Sequence, residues 1–124
     1  MRVPFVALIV AVGLVVPPVH AQKATEMLIP IGQSPAVSGI SSVTGTIMSC
    51  DRASGIVTIS DEKRTHTATL TDATKIWRDR SALKQGGAVG SVSDCQTGRR
   101  SEVKFVYEGE TRTTRAEWIK IRVE

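Results

Sequence analysis

The chain has 124 residues, with 16 lysines and arginines against 12 aspartates and glutamates, and 41% of its residues are hydrophobic. This length allows one small domain and argues against a multidomain enzyme. The basic residues are scattered among acidic ones, which argues against a dedicated polyanion-binding protein, because such proteins concentrate positive charge in one patch.

The first 21 residues have the three parts of a cleavable signal peptide. Arg2 supplies a positive charge, residues 3–16 form an apolar run, and Val19-His20-Ala21 ends the segment with residues that a signal peptidase accepts. The apolar run of about 14 residues is shorter than the roughly 20 that cross a bilayer. We therefore expect cleavage after Ala21 and a periplasmic or secreted mature chain of 103 residues, with 15 basic against 12 acidic side chains and no transmembrane segment.

Residues 22–41 are rich in proline, glycine and serine, with one short apolar run, Met27-Leu28-Ile29. This composition predicts an extended N-terminal leader or a loose first strand rather than a helix. The leader ends where residue 42 begins the predicted domain, which covers residues 42–124.

Cys50 and Cys95 are the two cysteines of the chain, and both follow the signal peptide. An even number of cysteines in a small exported chain predicts a disulfide bond. A redox pair would favour the spacing C-x-x-C, and a metal site would need more ligands. We expect a structural Cys50–Cys95 disulfide.

Five short runs after the leader are rich in β-branched residues and are separated by turn residues. Residues 74–77 either extend the third run or begin a helical turn, and residues 79–87 are the stretch most compatible with a short helix. The predicted strands cover residues 43–49, 56–59, 65–71, 102–107 and 113–123.

The last predicted strand changes phase. Ala116 and Trp118 are apolar at even positions, whereas Ile119, Ile121 and Val123 are apolar at odd positions. A shift of one residue moves side chains to the opposite face of a sheet, so we expect a bulge near Trp118-Ile119. The alternative is a tryptophan that lies on the outer face.

Five strands with the longest connection between the third and the fourth fit an OB barrel. Several short segments resemble those of small exported bacterial OB-like β-barrel proteins of unassigned function. The resemblance implies an all-β fold: a small five-stranded OB-like barrel with one disulfide and a short turn or helix between strands 3 and 4. It rests on residues 45–47, 55–59, 72–76, Gly98 and residues 116–121.

A related group with similar topology is the periplasmic copper- and silver-binding metallochaperones, which hold a soft cation with histidine and methionine beneath a tryptophan. After the signal peptide this chain has Met27, Met48 and one histidine, His66, and no methionine pair lies near His66 in sequence. Soft cations need converging sulfur and imidazole donors. We therefore predict no metal site, no cofactor, and a partly buried strand position for His66.

One aromatic residue lies among cations and is the candidate for an exposed stacking platform. Trp77 is flanked by basic residues, as in proteins that stack bases or sugars on aromatic rings beside a basic groove. The alternative is a solvated face whose cations pair with the nearby acids Asp79, Glu102 and Glu117. The candidate ligand-binding residues are Trp77, Lys75, Arg78, Arg80, Lys104 and Arg115, with Arg99, Arg100 and Arg112 as further rim residues.

No motif in the sequence predicts catalysis. The chain lacks a G-x-S-x-G elbow, an H-E-x-x-H helix and a phosphate-binding glycine loop. The predicted function is an exported, non-enzymatic binding or interaction module with no catalytic residues. Its open ligand classes are another exported protein, a polyanion, an oligosaccharide or nucleic acid, and, ranked lowest, a soft metal. The leader is also a candidate arm that adds to the sheet edge of a partner.

Overall fold

The computed structural model describes residues 26–34 and 42–124. The predicted signal peptide, the first residues of the leader and residues 35–41 lie outside the described residues. Within the described part, no helix is long and apolar enough to span a bilayer.

The described chain is of the all-β class that the sequence predicts, with about half of its residues in strands and little helix. Two short 3-10 turns interrupt the strands, at Ser81–Leu83 and Val92–Asp94. The strands are β1 (Ser42–Asp51), β2 (Ile56–Ser60), β3 (Thr65–Thr69), β4 (Lys75–Asp79), β5 (Ala88–Val89), β6 (Arg100–Glu108) and β7 (Thr111–Arg122).

Five of the seven strands close a ring. The strand order is β3-β2-β1-β6-β7-β4-β5, and all neighbours are antiparallel except β4 and β7. A further parallel pairing between β3 and β7, at Thr69 and Arg115, closes the ring of β1, β2, β3, β7 and β6. The prediction of five strands is therefore wrong in number, because β4 and β5 continue the sheet outside this ring.

The strand that sequence analysis did not resolve is β4. Residues 75–79 neither extend β3 nor form a helical turn; they pair in parallel with the second half of β7, about forty residues later in the chain. Strand propensity depends strongly on the neighbouring strand, and the neighbour here is distant in sequence. The predicted helical stretch contains only the 3-10 turn Ser81–Leu83.

The interior of the ring is filled by alternate residues of the strands. Ile59 and Val103 are fully buried there, and so are Phe105, Ile119 and Ile121, each with 1% exposure or less. Tyr107, near the end of β6, is exposed. Period-two alternation thus predicts this core.

His66 lies opposite Ile59 on the core side of β3, and its side chain is 9% exposed. Its Nε2 atom lies 2.9 Å from Oδ2 of Asp61. The prediction of a partly buried strand histidine agrees with this position.

The predicted bulge is present in β7, one residue earlier than expected. Lys104 of β6 pairs with Trp118, but the next residue, Phe105, pairs with Ala116, so Glu117 is the extra residue. Because of this insertion, Ala116 lies inside the ring while Trp118 lies on the outside.

The predicted disulfide is confirmed. Cys50 and Cys95 are bonded, with their Cα atoms 6.1 Å apart. The bond joins the end of β1 to the residue that follows the 3-10 turn Val92–Asp94.

Candidate functional site

Five polar and aromatic residues on the outside of β6, β7 and β4 are buried although they do not face the ring interior. The strand register brings them together: Glu102 is opposite Lys120, and Lys120 is opposite Trp77. We call this set the outer face. Its members are Glu102 (2% exposed), Lys120 (1%), Trp118 (5%), Trp77 (7%) and Asp79 (5%).

The outer face is covered by residues 26–34, which we call the strap. Residues 26–28 form a helical turn, and the amide of Gln33 then donates to the carbonyl of Pro30 at 3.1 Å. Gly32 has a φ of +83°, the left-handed conformation that favours glycine at the third position of a type II turn. Within the strap, Ile31 is the one buried side chain.

Lys120 is the centre of the contact between the strap and the outer face. Its Nζ donates to Oε2 of Glu26 at 2.8 Å and to the carbonyl of Ile29 at 2.9 Å. The same ammonium lies 4.6 Å from the ring centroid of Trp118, within the range of a cation–π contact. A charge this deeply buried needs such partners, because desolvation otherwise disfavours it strongly.

Glu26 completes this ion pair and is itself positioned by the end of the strap. The hydroxyl of Ser34 also donates to Oε2 of Glu26. Burial alone would raise the pKa of Glu26, but the hydrogen bonds from Lys120 and Ser34 and the charge of Lys120 outweigh it and lower the pKa below its ordinary value. The carboxylate is therefore ionised near neutral pH.

Two carboxylates of the outer face bind consecutive amides of the strap. The N–H of Ile31 donates to Oδ2 of Asp79 at 3.0 Å, and the N–H of Gly32 donates to Oε1 of Glu102 at 3.0 Å. The second oxygen of Glu102 accepts from the hydroxyl of Ser42, the first residue of β1, at 3.2 Å. These contacts recognise the main chain of the strap and not its side chains.

Asp79 is held in its charged form by its surroundings. Burial raises its pKa, but hydrogen bonds from Ser81 and from the amide of Ile31, with the charge of Arg122, lower it overall. Its Oδ1 accepts the Ser81 amide at 2.8 Å, and the Arg122 guanidinium lies 4.0 Å from Oδ2. Asp79 is therefore ionised beneath the strap near neutral pH.

The two tryptophans are buried and lie against each other on the outer face. The ring centroids of Trp77 and Trp118 are 5.6 Å apart, and the rings are inclined by 31°. The expectation that Trp77 is an exposed stacking platform is wrong, because β4 pairs with β7 and places Trp77 beside the covered tryptophan.

The strap also passes close to the connection before β5. A Cβ atom on Gly87 would collide with the carbonyl oxygen of Met27, whereas a Cβ on Gly86 would make only ordinary contact with Leu28, at 3.7 Å from Cδ2. The two adjacent glycines therefore differ: the backbone of the strap requires glycine at residue 87 and not at residue 86.

The free energy of strap docking is close to balance. The four hydrogen bonds between charged groups and the strap contribute about 1.5–3 kcal/mol each, and burial of Ile31 contributes about 1.5–3 kcal/mol. Ordering the backbone of residues 26–34 costs about 1–2 kcal/mol per residue. The favourable total is roughly 8–15 kcal/mol and the cost is roughly 9–18 kcal/mol, so the two nearly cancel and a single altered contact is expected to change the fraction of molecules in which the strap is docked.

The predicted basic residues do not form one patch. Arg78 pairs with Asp94, with Nε 3.0 Å from Oδ2, and Arg115 pairs with Glu108 at 2.7 Å. Arg80 donates to the carbonyl of Gly86 at 2.7 Å.

Two of the predicted cations do come close to a tryptophan. Lys75 and Lys104 are the register neighbours of Trp118, one on each side, and Lys104 lies 3.8 Å from Glu117. A ligand-binding role for the six predicted residues stays a prediction.

The residues considered for a soft metal are engaged elsewhere or face solvent. Met48 is 52% exposed at an irregularity in β1. Asp61, which contacts His66, accepts the amides of Lys63 and Arg64; these hydrogen bonds, followed by that of His66, lower its pKa. Residues 26–34 and 42–124 contain no group of three or more histidine, cysteine, aspartate or glutamate side chains able to hold a metal ion.

Comparison with known proteins gives similar solved structures only. No protein-family model and no curated protein matches the chain. Structures of Escherichia coli CusF with Ag(I) and, for a variant, with Cu(II) are each 21% identical, cover 65% of this chain and 89% of theirs, and have a TM-score of 0.44. Metal-free CusF is 21% identical over 65% of this chain and 84% of its own, with a TM-score of 0.43. The chain is thus distantly similar to the metal-binding barrels that the sequence indicated, and this likeness assigns it no ligand.

Proposed function

We propose that the protein is an exported, non-enzymatic binding module and that its binding surface is the outer face. The observation that supports this most directly is the burial of three charged side chains, Lys120, Glu102 and Asp79, each of which has a hydrogen-bond partner in a separate segment, the strap. Protein interfaces commonly combine aromatic anchors with polar groups that are satisfied only when a partner is bound. The outer face has both features.

Export is the second part of the proposal. Residues 1–21 have the pattern of a signal peptide, and disulfides such as Cys50–Cys95 are stable mainly in oxidising compartments. N-terminal sequencing of the protein from a periplasmic or culture fraction is expected to begin at Gln22. A chain that starts at Met1 in that fraction would contradict cleavage.

The experiment that tests the binding surface uses the two adjacent glycines. Gly87→Ala is expected to loosen the strap and Gly86→Ala is not, because only the first adds a methyl group against the strap backbone. Acrylamide quenching of Trp77 and Trp118 should rise in Gly87→Ala alone. A partner captured from periplasmic extract by Gly87→Ala should then protect the amides of β4, β6 and β7 from hydrogen exchange. A footprint elsewhere, or equal capture by Gly86→Ala, would contradict this surface.

A polyanion is the second ligand class with structural support, because Lys75 and Lys104 flank Trp118. It would bind the side chains of Lys75 and Lys104 and not the position that the strap occupies, and its affinity would fall steeply with salt concentration. Titration of the native chain with heparin fragments, compared with a Lys75→Ala/Lys104→Ala variant, tests it. An affinity that is unchanged by the substitutions, or independent of salt, would remove this class.

A soft metal is the class we rank lowest. Met48 faces solvent, and the Nε2 atom of His66 is paired with Asp61. We expect native mass spectrometry to show no stoichiometric Cu(I) or Ag(I) adduct on the disulfide-bonded chain. A 1:1 adduct that is lost in His66→Ala would contradict this ranking.

A further inference from the structure

We propose that the ligand of the outer face is a polypeptide segment and that the strap is its intramolecular, displaceable occupant. This inference rests on the proposed function and names the ligand class and the regulation of the same site. The competing partner is a polypeptide segment with an acidic side chain, an apolar residue a few positions later, and a turn that exposes two consecutive amides.

The first argument is the chemistry of the contacts. Lys120 binds the carbonyl of Ile29. Asp79 and Glu102 bind the amides of Ile31 and Gly32, the two central residues of the turn that follows. Every polypeptide offers such main-chain groups. A nucleic acid or a sulfated sugar would instead place its anionic groups against two carboxylates, which is unfavourable. The groups on the outer face therefore fit a peptide backbone and exclude a polyanion from this position.

The second argument is that specificity comes from two side chains. Glu26 places a carboxylate on the buried ammonium of Lys120, and Ile31 is the one buried apolar side chain of the strap. An acidic side chain and an apolar side chain, five residues apart, fix the direction and the register of a bound segment. The remaining strap side chains are exposed or half-buried, so they tolerate other residues.

The third argument is that the strap can leave without opening the sheet. None of the described strand pairings includes residues 26–34, and the ring closes through β3 and β7. The disulfide likewise joins residues outside the strap. Loss of the strap thus uncovers the outer face and leaves the strand ladders intact.

The fourth argument concerns the connection between the strap and β1. One carboxylate, that of Glu102, binds both Gly32 of the strap and Ser42 of β1. Nine residues of sequence separate Gly32 from Ser42, and a chain of that many residues spans at most about 30 Å. A segment joined in this way acts as a tethered ligand at an effective concentration on the order of millimolar. It occupies the face when no partner is present and competes when one is.

The test is a titration with a synthetic peptide of residues 26–34, EMLIPIGQS, added to full-length chains. The fluorescence of Trp77 and Trp118 and their indole NMR signals report binding. We expect Ile31→Asp to bind the peptide at least about tenfold more tightly than the native chain, because repulsion from Asp79 weakens docking of its own strap while the outer face is unaltered. Gly87→Ala should bind the peptide more weakly than Ile31→Asp, because the added methyl group would also meet the Met27 carbonyl of the bound peptide. A peptide with an ester in place of the Gly32 amide should bind about tenfold more weakly, since it lacks one donor to a carboxylate.

The lysine supplies a matched specificity test. In the Ile31→Asp background, the EMLIPIGQS peptide should bind about tenfold more tightly than QMLIPIGQS. Adding Lys120→Met should abolish that difference, because the residue that distinguishes the two peptides is then missing. Equal binding of the two peptides while Lys120 is present would overturn the assigned role of Lys120.

The Ile31→Asp variant is expected to release the strap because it places a carboxylate where the strap meets Asp79. Tryptophans that stay shielded in this variant would show that the strap is not displaceable and would overturn the proposal. If the tryptophans become accessible in this variant and no peptide binds, the polypeptide class is wrong. A partner footprint on β4, β6 and β7 would in that case still support the proposed binding surface, whereas a footprint elsewhere would contradict both proposals.

Discussion

The disulfide is predicted to supply a large part of the stability of this domain. Cys50 and Cys95 are 45 residues apart in sequence. In the chain-entropy description, closing a loop of this length stabilises the folded state by about 4 kcal/mol. In a domain of this size, 1 kcal/mol corresponds to about 4–8 °C in Tm, so loss of the bond should lower Tm by about 15–30 °C.

The measurement is urea unfolding of the native chain, oxidised and reduced, beside the Cys50→Ala/Cys95→Ala variant. Reduction removes only the cross-link, whereas the variant also removes the sulfur of Cys95, which is 1% exposed and packs in the core. The reduced native chain should therefore lose about 4 kcal/mol, and the variant slightly more. The reducing agent should leave the variant unchanged.

The result that would refute this reasoning is a loss below about 1 kcal/mol on reduction, far less than loop closure predicts. It would mean that the loop between the cysteines is already constrained in the unfolded chain. The slope of the unfolding free energy against urea concentration would then differ as well, because that slope follows the surface exposed on unfolding and a constrained unfolded chain exposes less.

Three further predictions follow from packing and charge. Gly45→Ala should cost about 1–3 kcal/mol in urea unfolding, because its Cβ would lie 2.5 Å from a backbone oxygen of β2; a neutral result would mean that the two strands separate freely. Acid should release the strap. The folded protein holds the pKa of Glu26 below 4.5 and that of Asp79 below 3.8. The stabilisation that the two carboxylates contribute is therefore complete above those ordinary values and is lost as the pH falls through their lower pKa values in the folded protein. Tryptophan quenching that stays constant down to pH 2 would contradict this. Arg115→Ala should change stability by less than about 1 kcal/mol, because both members of the Arg115–Glu108 pair are largely exposed; a larger loss would show a role beyond the ion pair.

The core of the ring could be predicted from sequence because its signal is local. Alternation places Val103 and Phe105 on one face of β6, and the structure buries both. β4 could not be predicted in this way. Its pairing partner is the end of β7, so the tertiary neighbour, and not the residues 75–79 themselves, determines its structure.

The outer face was hidden from sequence analysis for a related reason. Lys120 lies between Ile119 and Ile121 in the last strand, which correctly indicates the face opposite the core. A lysine in that position is ordinarily solvated. It is buried here because Glu26, 94 residues earlier, reaches it from the strap. Alternation indicates which face a residue occupies, but it does not indicate whether another segment covers that face.

One sequence feature does point to the site: the phase change in β7. A bulge and an outward-facing tryptophan were two alternative interpretations of that change, and the structure contains both. The extra residue Glu117 turns Ala116 into the ring, while Trp118 and Lys120 keep the outward phase on the far side of the bulge. The same insertion that lets the small Ala116 fill the core therefore leaves an aromatic and a cationic side chain on the opposite face. The ammonium of Lys120 lies over the ring of Trp118, and the strap supplies the carboxylate of Glu26 and the carbonyl of Ile29 that a buried ammonium needs.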